Sequence, residues 1–216
     1  MIRYNTIKNK WQSFSPDGWW GDNLDVRFVL CEELSKLRNK TILDIGCGAG
    51  IILSETDDSN LKIGFDINES QVRITKLIDP NILAYVGNMY SIPHKDNSFD
   101  VVILSNILEI TDQKEELLKN IYNLLKTDGI MFFTTPNGNH NKYFGGNKMS
   151  YGEICKFLDK YYDTDIFYFN PFPEYLPKRA LANIPLTWTI LKKLMKYPFF
   201  KESCKYYFCV CKKKNL

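Results

Sequence analysis

Histidine is scarce in this chain, and long apolar runs are missing from it. Only two histidines occur among 216 residues, and no two of the six cysteines form a C-x-x-C pair. The sequence therefore predicts neither a metal site nor a disulfide framework. No eighteen apolar residues occur in succession, and the N-terminus has no apolar run typical of a signal peptide. We therefore expect a cytoplasmic protein.

A strong excess of one charge is also missing. The net charge is +3, and part of it comes from three lysines at residues 212–214. This balance gives no basic stripe of the kind that binds nucleic acid. A length of 216 residues with 44% hydrophobic residues predicts a single α/β domain over residues 1–216. We expect the aromatic segment 1–22 to act as a cap that closes over the site.

Apolar strand-like runs alternate with segments of helical spacing along most of the chain. This alternation predicts a mostly parallel, doubly wound sheet covered by helices on both faces. Asp112 and Glu115 form a possible helix cap, and Gly129 is expected to end that helix in the left-handed conformation. The predicted strands are 41–45, 61–66, 82–86, 100–104, 130–135, 165–169 and 206–211, and the predicted helices are 23–37, 69–77 and 111–126.

A glycine-rich turn follows the first predicted strand in the stretch T-I-L-D-I-G-C-G-A-G. Gly46, Gly48 and Gly50 remove side chains where a ligand approaches bare backbone, as in nucleotide sites. Asp44 precedes the turn, and Asp66 ends the next strand at the offset of an acid that accepts from ribose hydroxyls. The glycine spacing differs from the G-x-G-x-x-G of dinucleotide folds. Asp44 has the alternative role of holding the amides of its own loop.

The run L-D-I-G-C-G-A-G at residues 43–50 resembles the first motif of the class I S-adenosylmethionine-dependent methyltransferases, and the likeness extends over about residues 20–165. It implies a Rossmann-like sheet of seven strands, the last antiparallel, and S-adenosyl-L-methionine as cofactor. The implied cofactor-binding positions are Asp44, Gly46, Gly48, Gly50, Asp66, Ile67, Asn88, Met89, Ser105 and Asn106. By the same resemblance Ile67 covers adenine, Asn88 accepts from the adenine amino group, and Met89 supplies a backbone N–H.

The acceptor side of the site is implied by the same resemblance. The stretch S-F-D-V-V-I-L-S-N-I-L-E-I-T resembles the fourth strand and following loop of the family, in which Glu109 faces the acceptor. Ile110 stands where many relatives have a histidine, so this loop lacks that candidate base. A methyl group leaves a sulfonium readily, so positioning and desolvation can supply most of the rate acceleration. His140 is the alternative base, although a loop histidine without a task is the simpler interpretation.

The segments after the fifth and sixth predicted strands resemble the acceptor covers of small-molecule methyltransferases of quinone and sugar biosynthesis. We expect 137–160 and 171–203 to form a lid and an insertion on the acceptor side. Tyr143, Phe144, Met149 and Tyr151 could wall an apolar pocket or belong to the ordinary core. Residues 181–200 are amphipathic, and either rest on an anionic membrane or lipid-like acceptor or pack on the domain.

These patterns together predict a methyltransferase that acts on a small, partly apolar acceptor, with O-methylation ahead of C- or N-methylation. Alternatives are a nucleic-acid or protein methyltransferase, an NAD-dependent oxidoreductase and a non-catalytic cofactor-binding protein of the same fold. A nucleic-acid substrate is disfavoured because no N-P-P-Y-type motif follows the fourth strand.

Overall fold

Strands and helices alternate along the part of the chain that the computed structural model describes, which is residues 24–138, 149–169, 196 and 204–215. Two of the segments named above, 1–22 and 171–203, lie outside these residues except for Lys196, and so do residues 139–148 of the expected lid. The elements are α1 Leu24–Leu34, β1 Thr41–Ile45, α2 Ile51–Ser54, β2 Leu61–Asp66, α3 Glu69–Ile78, β3 Leu83–Val86, β4 Phe99–Ser105, the 3₁₀ helix Leu108–Ile110, α4 Lys114–Leu124, β5 Leu125–Pro136, α5 Tyr151–Leu158, β6 Tyr162–Phe169 and β7 Tyr206–Lys213.

The strands form a sheet of seven in the described residues, in the order β3-β2-β1-β4-β5-β7-β6. Strands β1 to β5 pair in parallel, whereas β7 runs antiparallel between β5 and β6. This arrangement confirms the predicted doubly wound sheet with its antiparallel last strand. The chain leaves β1 toward β2 on one side, and β4 lies on the other. A crevice for a ligand is expected at that switch point, beyond the carboxyl ends of the two strands.

Two hydrophobic layers cover the sheet, one on each face. Successive residues of β4 alternate between them: Val102 and Leu104 join the layer formed with α4 and α5, while Val101 and Ile103 join the layer formed with α1 and α2. Side chains of a strand point alternately to opposite faces, so a strand buried on both sides reads as a continuous apolar run. This burial explains why 100–104 was recognisable from its composition.

Helix α4 differs from the sequence expectation at both ends. Its N-cap is Gln113, which makes no side-chain capping bond, so the expected cap by Asp112 and Glu115 is wrong. The helix ends at Leu124, and β5 starts at once with Leu125. The left-handed residue that follows is Asp128, which lies inside β5 and has φ 63°, rather than Gly129. Aspartate tolerates this conformation because its short side chain can bond locally. No helix in the described residues is long and apolar enough to cross a membrane.

Candidate cofactor and acceptor site

The glycine loop after β1 is tied to the end of β2 by its backbone. The N–H groups of Gly46 and Cys47 both donate to the carbonyl of Phe65, at 2.7 and 3.0 Å. The Gly48 N–H donates to Asp66 Oδ2 at 2.8 Å, and the Thr75 hydroxyl donates to the Gly48 carbonyl at 2.8 Å. These bonds fix the loop without a ligand, so the crevice is preorganised.

The three glycines of this loop are required for two different reasons. All three have positive φ, at 75°, 52° and 72°. A Cβ at Gly46 would collide with Ile107, and one at Gly50 would collide with Thr75, so both positions are closed by packing. A Cβ at Gly48 would meet only Gln71 Oε1, at 3.9 Å. Gly48 therefore lines open space on the side of the loop where a ligand can approach.

Asp44 lies directly beneath this loop and is 1% exposed. Neither of its carboxylate oxygens has a hydrogen-bond partner among the described residues. Burial raises the pKa of Asp44 to about 8, with a further contribution from Asp66 and an opposing one from Arg27. The alternative role of tying down the loop amides is not what the structure shows, since the loop bonds to Asp66 and Phe65 instead. A buried carboxylate without a partner favours a cationic ligand.

Asp66 closes the other side of the crevice at the carboxyl end of β2. Its two oxygens accept from the backbone N–H groups of Gly48 and Asn68, each at 2.8 Å. Each carboxylate oxygen has a second lone pair, so the group can still accept from a pair of hydroxyls. The next side chain, Ile67, is 78% exposed. A large apolar side chain in this position is available to cover a ligand ring.

Arg27 and Glu109 form a buried charged floor near Asp44. Glu109 was predicted from the sequence, whereas Arg27 was not. Arg27 of α1 is 2% exposed, and Glu109 of the 3₁₀ helix is 4% exposed. Burial lowers the pKa of Arg27 to about 9, and the neighbouring Tyr206, Glu109 and Asp44 oppose that shift. Burial also raises the pKa of Glu109 to about 7, while Thr135, which donates to Glu109 Oε2 at 3.3 Å, opposes it. Arg27 thus lies in electrostatic range of both carboxyl groups.

Arg27 carries a sequence signal that could have identified it. It lies four and seven positions before Cys31 and Leu34, which are buried on α1. A charged residue on the apolar stripe of a helix is rarely buried without a charged partner. Thr75, which fills the space beside Gly50, was also missed, and no residue-type pattern points to it.

The turn after β3 holds Asn88 and Met89. Asn88 is exposed and Met89 is half-buried. The Asn88 side-chain oxygen accepts from the Tyr90 N–H at 3.0 Å. The Gly87 N–H donates to the Asp66 carbonyl at 3.0 Å, which brings this turn beside Asp66. Asn88 and Asp66 therefore lie at the same edge, as the sequence predicted.

Ser105 and Asn106 end β4 and are linked to β5 through Thr134. The hydroxyls of Ser105 and Thr134 are 3.0 Å apart, and Thr134 Oγ1 donates to Asn106 Oδ1 at 3.0 Å. Asn106 has a positive φ of 57°, which turns the chain sharply into the acceptor loop. Both residues are half-buried at the carboxyl edge of the sheet.

The described acceptor-side residues face the core more than the sequence suggested. Met149 is 3% exposed and packs in the core, and the ring of Tyr151 lies 6.1 Å from that of Tyr168 and 6.3 Å from that of Tyr207. Met149 also borders an open groove of about 560 Å³. The other residues lining this groove are Asp112, Gln113, Lys114, Glu115, Glu116, Glu153 and Phe157. Their roles as acceptor contacts stay predictions.

Three of the predicted site residues lie outside the described residues: His140, Tyr143 and Phe144. Their assignments stay predictions. Within the residues that the structure describes, no group of three or more His, Cys, Asp or Glu side chains is arranged to hold a metal ion.

Comparison with known proteins agrees with this geometry. A family model described as "Methyltransferase domain" matches residues 25–184. A ubiquinone biosynthesis O-methyltransferase of Neisseria meningitidis is 26% identical over 65% of this chain and 67% of its own length. One of Coxiella burnetii is 29% identical over 55% of this chain and 53% of its own length. The chain thus spans between half and two thirds of these curated relatives.

Among solved structures, a Thermotoga maritima protein described as an S-adenosylmethionine-dependent methyltransferase and possible histamine N-methyltransferase superposes with a TM-score of 0.66. The match covers 96% of this chain and all of that one, at 16% identity, so the likeness concerns the fold. The family match extends over more than half of the chain. The chain therefore belongs to the methyltransferase domain family, and its glycine loop and sheet are those of the class I S-adenosylmethionine-dependent enzymes.

Proposed function

We propose that the chain binds S-adenosyl-L-methionine in the crevice above β1 and catalyses transfer of its methyl group to a hydroxyl of a small, partly apolar acceptor. The observation that carries the proposal is Asp44, a buried carboxylate whose two oxygens lack partners among the described residues. It lies in electrostatic range of Asp66, which accepts a hydrogen bond from the Gly48 N–H. The cofactor offers two positive charges, an ammonium and a sulfonium, to such a group.

The residues present fit the whole cofactor. Gly48 leaves room for the backbone to meet the methionine and ribose portions. Asp66, held in place by two N–H groups, has free lone pairs for the two ribose hydroxyls. Ile67 is exposed beside it and can cover the adenine ring. Asp44, Gly48, Asp66 and Ile67 would thus hold successive parts of one molecule.

The bound cofactor would supply a methyl group on a sulfonium. As the acceptor oxygen bonds to the methyl carbon in line, the S–CH₃ bond would break, S-adenosylhomocysteine would leave, and the hydroxyl proton would pass to ionised Glu109 or to water. The chain positions the two reactants and removes water from between them. Beneath the crevice, the buried Arg27 lies in the electrostatic field of both Asp44 and Glu109. No strong base is needed for such a displacement when the acceptor hydroxyl is held in line.

The acceptor assignment is supported by the loop after β4. Ile110 is 63% exposed at the carboxyl edge of the sheet and offers an apolar surface. The adjacent Glu109, whose pKa burial raises to about 7, can accept a hydrogen bond from a hydroxyl when it is ionised. The curated relatives are named as O-methyltransferases of ubiquinone biosynthesis, which favours a phenolic hydroxyl on a ring with an apolar substituent.

A methyl-transfer assay tests this proposal. Purified protein is incubated with S-adenosylmethionine carrying a labelled methyl group and a series of catechols with alkyl tails of increasing length, with primary amines of the same tails in parallel. We expect label in the catechols, increasing with tail length, and none in the amines. Label in the amines alone would overturn the acceptor class. The variant Gly48→Val, which fills the open face of the loop, controls for reaction outside the crevice.

A further inference from the structure

Glu109 is a buried carboxyl group with one oxygen bonded and the other without a partner. Its Oε2 atom accepts from the Thr135 hydroxyl at 3.3 Å. Its Oε1 atom accepts no hydrogen bond among the described residues, yet it is not one of the fully enclosed polar atoms that lack a partner. The 4% of its surface that Glu109 exposes therefore includes this free oxygen.

The loop that carries Glu109 packs directly on the glycine loop. Ile107, two residues earlier, occupies the space where a Cβ at Gly46 would lie, with its Cγ1 atom 2.9 Å away. The loop begins at Asn106, at the carboxyl end of β4, on the other side of β1 from Asp66. Glu109 is therefore held within one helical turn of the residues that line the crevice.

The groups that act on Glu109 come from three other elements. Burial raises its pKa to about 7, and its own backbone, the Thr135 hydroxyl of β5, Arg27 of α1 and Lys114 of α4 oppose that shift. A proton acceptor is most efficient when its pKa lies close to the pH of the reaction. Near neutral pH Glu109 is thus partly ionised and able to take up a proton.

We propose that Glu109 Oε1, rather than water, takes the proton of the acceptor hydroxyl during methyl transfer, and that Thr135 is the positioning residue that holds this carboxylate. The inference rests on the proposed function. As the hydroxyl oxygen bonds to the methyl carbon, the S–CH₃ bond breaks, its electron pair stays on sulfur, and the O–H proton passes to Oε1. Water removes that proton after the methylated product and S-adenosylhomocysteine have left.

The first measurement is the rate of a single turnover against pH, with saturating S-adenosylmethionine and an alkylated catechol. For the natural protein the rate should rise about tenfold per pH unit below pH 7 and level off above it. Glu109→Gln should lose this inflection and be about 100-fold slower at pH 8, as expected for loss of a general base. Its affinity for S-adenosylhomocysteine should stay near that of the natural protein, which shows that the variant is folded.

The positioning role of Thr135 is tested by a pair of variants on β5. Thr135→Val keeps the shape of the side chain and removes the donor to Glu109, so the inflection should move up by about one pH unit. Thr134→Val is the matched control, because the Thr134 hydroxyl is also buried but donates to Asn106. Whatever its effect on the rate, this variant should keep the inflection at the pH of the natural protein. An equal shift in both variants would contradict the role of Thr135.

NMR titration of protein labelled with ¹³C at the glutamate carboxyl groups measures the same pKa without cofactor or acceptor. The Glu109 signal is identified by its loss in Glu109→Gln. We expect a pKa of about 7 in the natural protein, a higher value in Thr135→Val and no change in Thr134→Val.

The inference and the proposed function fail in different ways. If the natural protein methylates the catechol and Glu109→Gln keeps both its rate and its inflection, water takes the proton and the inference is overturned while the proposed function stands. If the natural protein binds S-adenosylhomocysteine but methylates no hydroxyl acceptor, the proposed function fails and the inference fails with it.

Discussion

The cofactor half and the acceptor half of the crevice are built differently. On the cofactor side, the Gly48 N–H donates to the side-chain oxygen Asp66 Oδ2 at 2.8 Å, so the loop is complete before a ligand arrives. On the acceptor side, Glu109 is buried against Thr135, Met149 packs in the core, and the partly buried Tyr151 packs against that core. The cofactor half is thus specified by residue types at fixed spacing, whereas the acceptor half depends on packing between distant segments.

Filling the open face of the glycine loop should have the largest effect on the cofactor half. Gly48→Val should remove detectable binding of S-adenosylhomocysteine in calorimetry, because a branched side chain would occupy the approach of the ligand and its φ of 52° disfavours any Cβ. Gly152→Ala is the matched control, since nothing lies within 4 Å of a Cβ there. We expect normal affinity in that variant.

Comparing Gly46 with Gly48 distinguishes a glycine required by packing from one that leaves room for a ligand. A Cβ at Gly46 meets Ile107, with 2.9 Å to its Cγ1 atom, so Gly46→Ala should lower the melting temperature more than Gly48→Ala does. Equal loss of stability in the two alanine variants would show that Gly48 is also closed by packing, and would remove the argument for a ligand at that position.

The next effect in size concerns the ribose. Asp66→Ala should weaken the binding of S-adenosylhomocysteine by about tenfold or more, because it removes the acceptors for two ribose hydroxyls and releases the Gly48 N–H. Asp66→Asn keeps one acceptor oxygen, so its loss of affinity should be smaller than that of Asp66→Ala. Affinity that is unchanged in both variants, measured by calorimetry, would contradict the assignment of Asp66.

A smaller effect concerns the charge of Asp44, which should make the affinity for S-adenosylhomocysteine depend on pH. Its pKa in the free protein is about 8, raised first by burial, so the group is mostly protonated at pH 7. A cationic ligand favours the carboxylate and lowers that pKa, so binding releases a proton. The affinity for S-adenosylhomocysteine should therefore rise between pH 6 and pH 8, by up to about tenfold per pH unit. Calorimetry in buffers of different ionisation enthalpy measures the released proton.

The variant Asp44→Asn has no proton to release at this position. Its affinity should be lower than that of the natural protein at pH 8 and nearly independent of pH between 6 and 8. A pH dependence that persists in Asp44→Asn would assign the proton to another group of the buried floor.

The smallest expected effect concerns Glu109 in the acceptor half and is measured as a change in the free energy of unfolding with pH. Burial raises the pKa of Glu109 from its ordinary value of 4.5 to about 7. An acid whose folded pKa is raised binds its proton more tightly when folded, so the stabilising contribution is full below about pH 4.5 and is lost as pH rises to about 7. Glu109→Gln should abolish a loss on the order of 2 kcal/mol in the free energy of unfolding between pH 5 and pH 8.

Denaturant titrations at the two pH values measure that loss. S-adenosylhomocysteine affinity in Glu109→Gln should stay within about twofold of the natural protein, because Glu109 belongs to the acceptor half. A large loss of cofactor affinity in this variant would show that the two halves are not separate.

Most of the fold was predictable because the strands are buried on both faces. β1 and β2 were predicted at their observed bounds, since a strand covered by helices on both sides is a continuous apolar run ending at glycine or aspartate. The end of α4 was not, because Leu125 continues the helical apolar spacing yet pairs with Phe99 in the sheet. Pairing between distant residues overrode the local pattern there.

The site residues also divide into those set by local sequence pattern and those set by packing between distant segments. Gly48 and Asp66 were recognisable because their chemistry requires those residue types at that spacing. Thr135 was not recognisable, and Arg27 stood out only as a charged residue on the apolar stripe of α1. The roles of both come from packing across α1 and β5 onto the 3₁₀ helix. The single-domain organisation, the cytoplasmic location and the roles of residues 137–160 and 171–203 stay predictions.

A calorimetric titration of the natural protein with S-adenosylhomocysteine, with NAD titrated in parallel, tests the cofactor assignment most directly. We expect binding of S-adenosylhomocysteine in the micromolar range and no heat from NAD, because the unpartnered Asp44 carboxylate and the open face of Gly48 suit an amino-acid-bearing nucleoside. Binding of NAD alone, or of neither ligand, would contradict it.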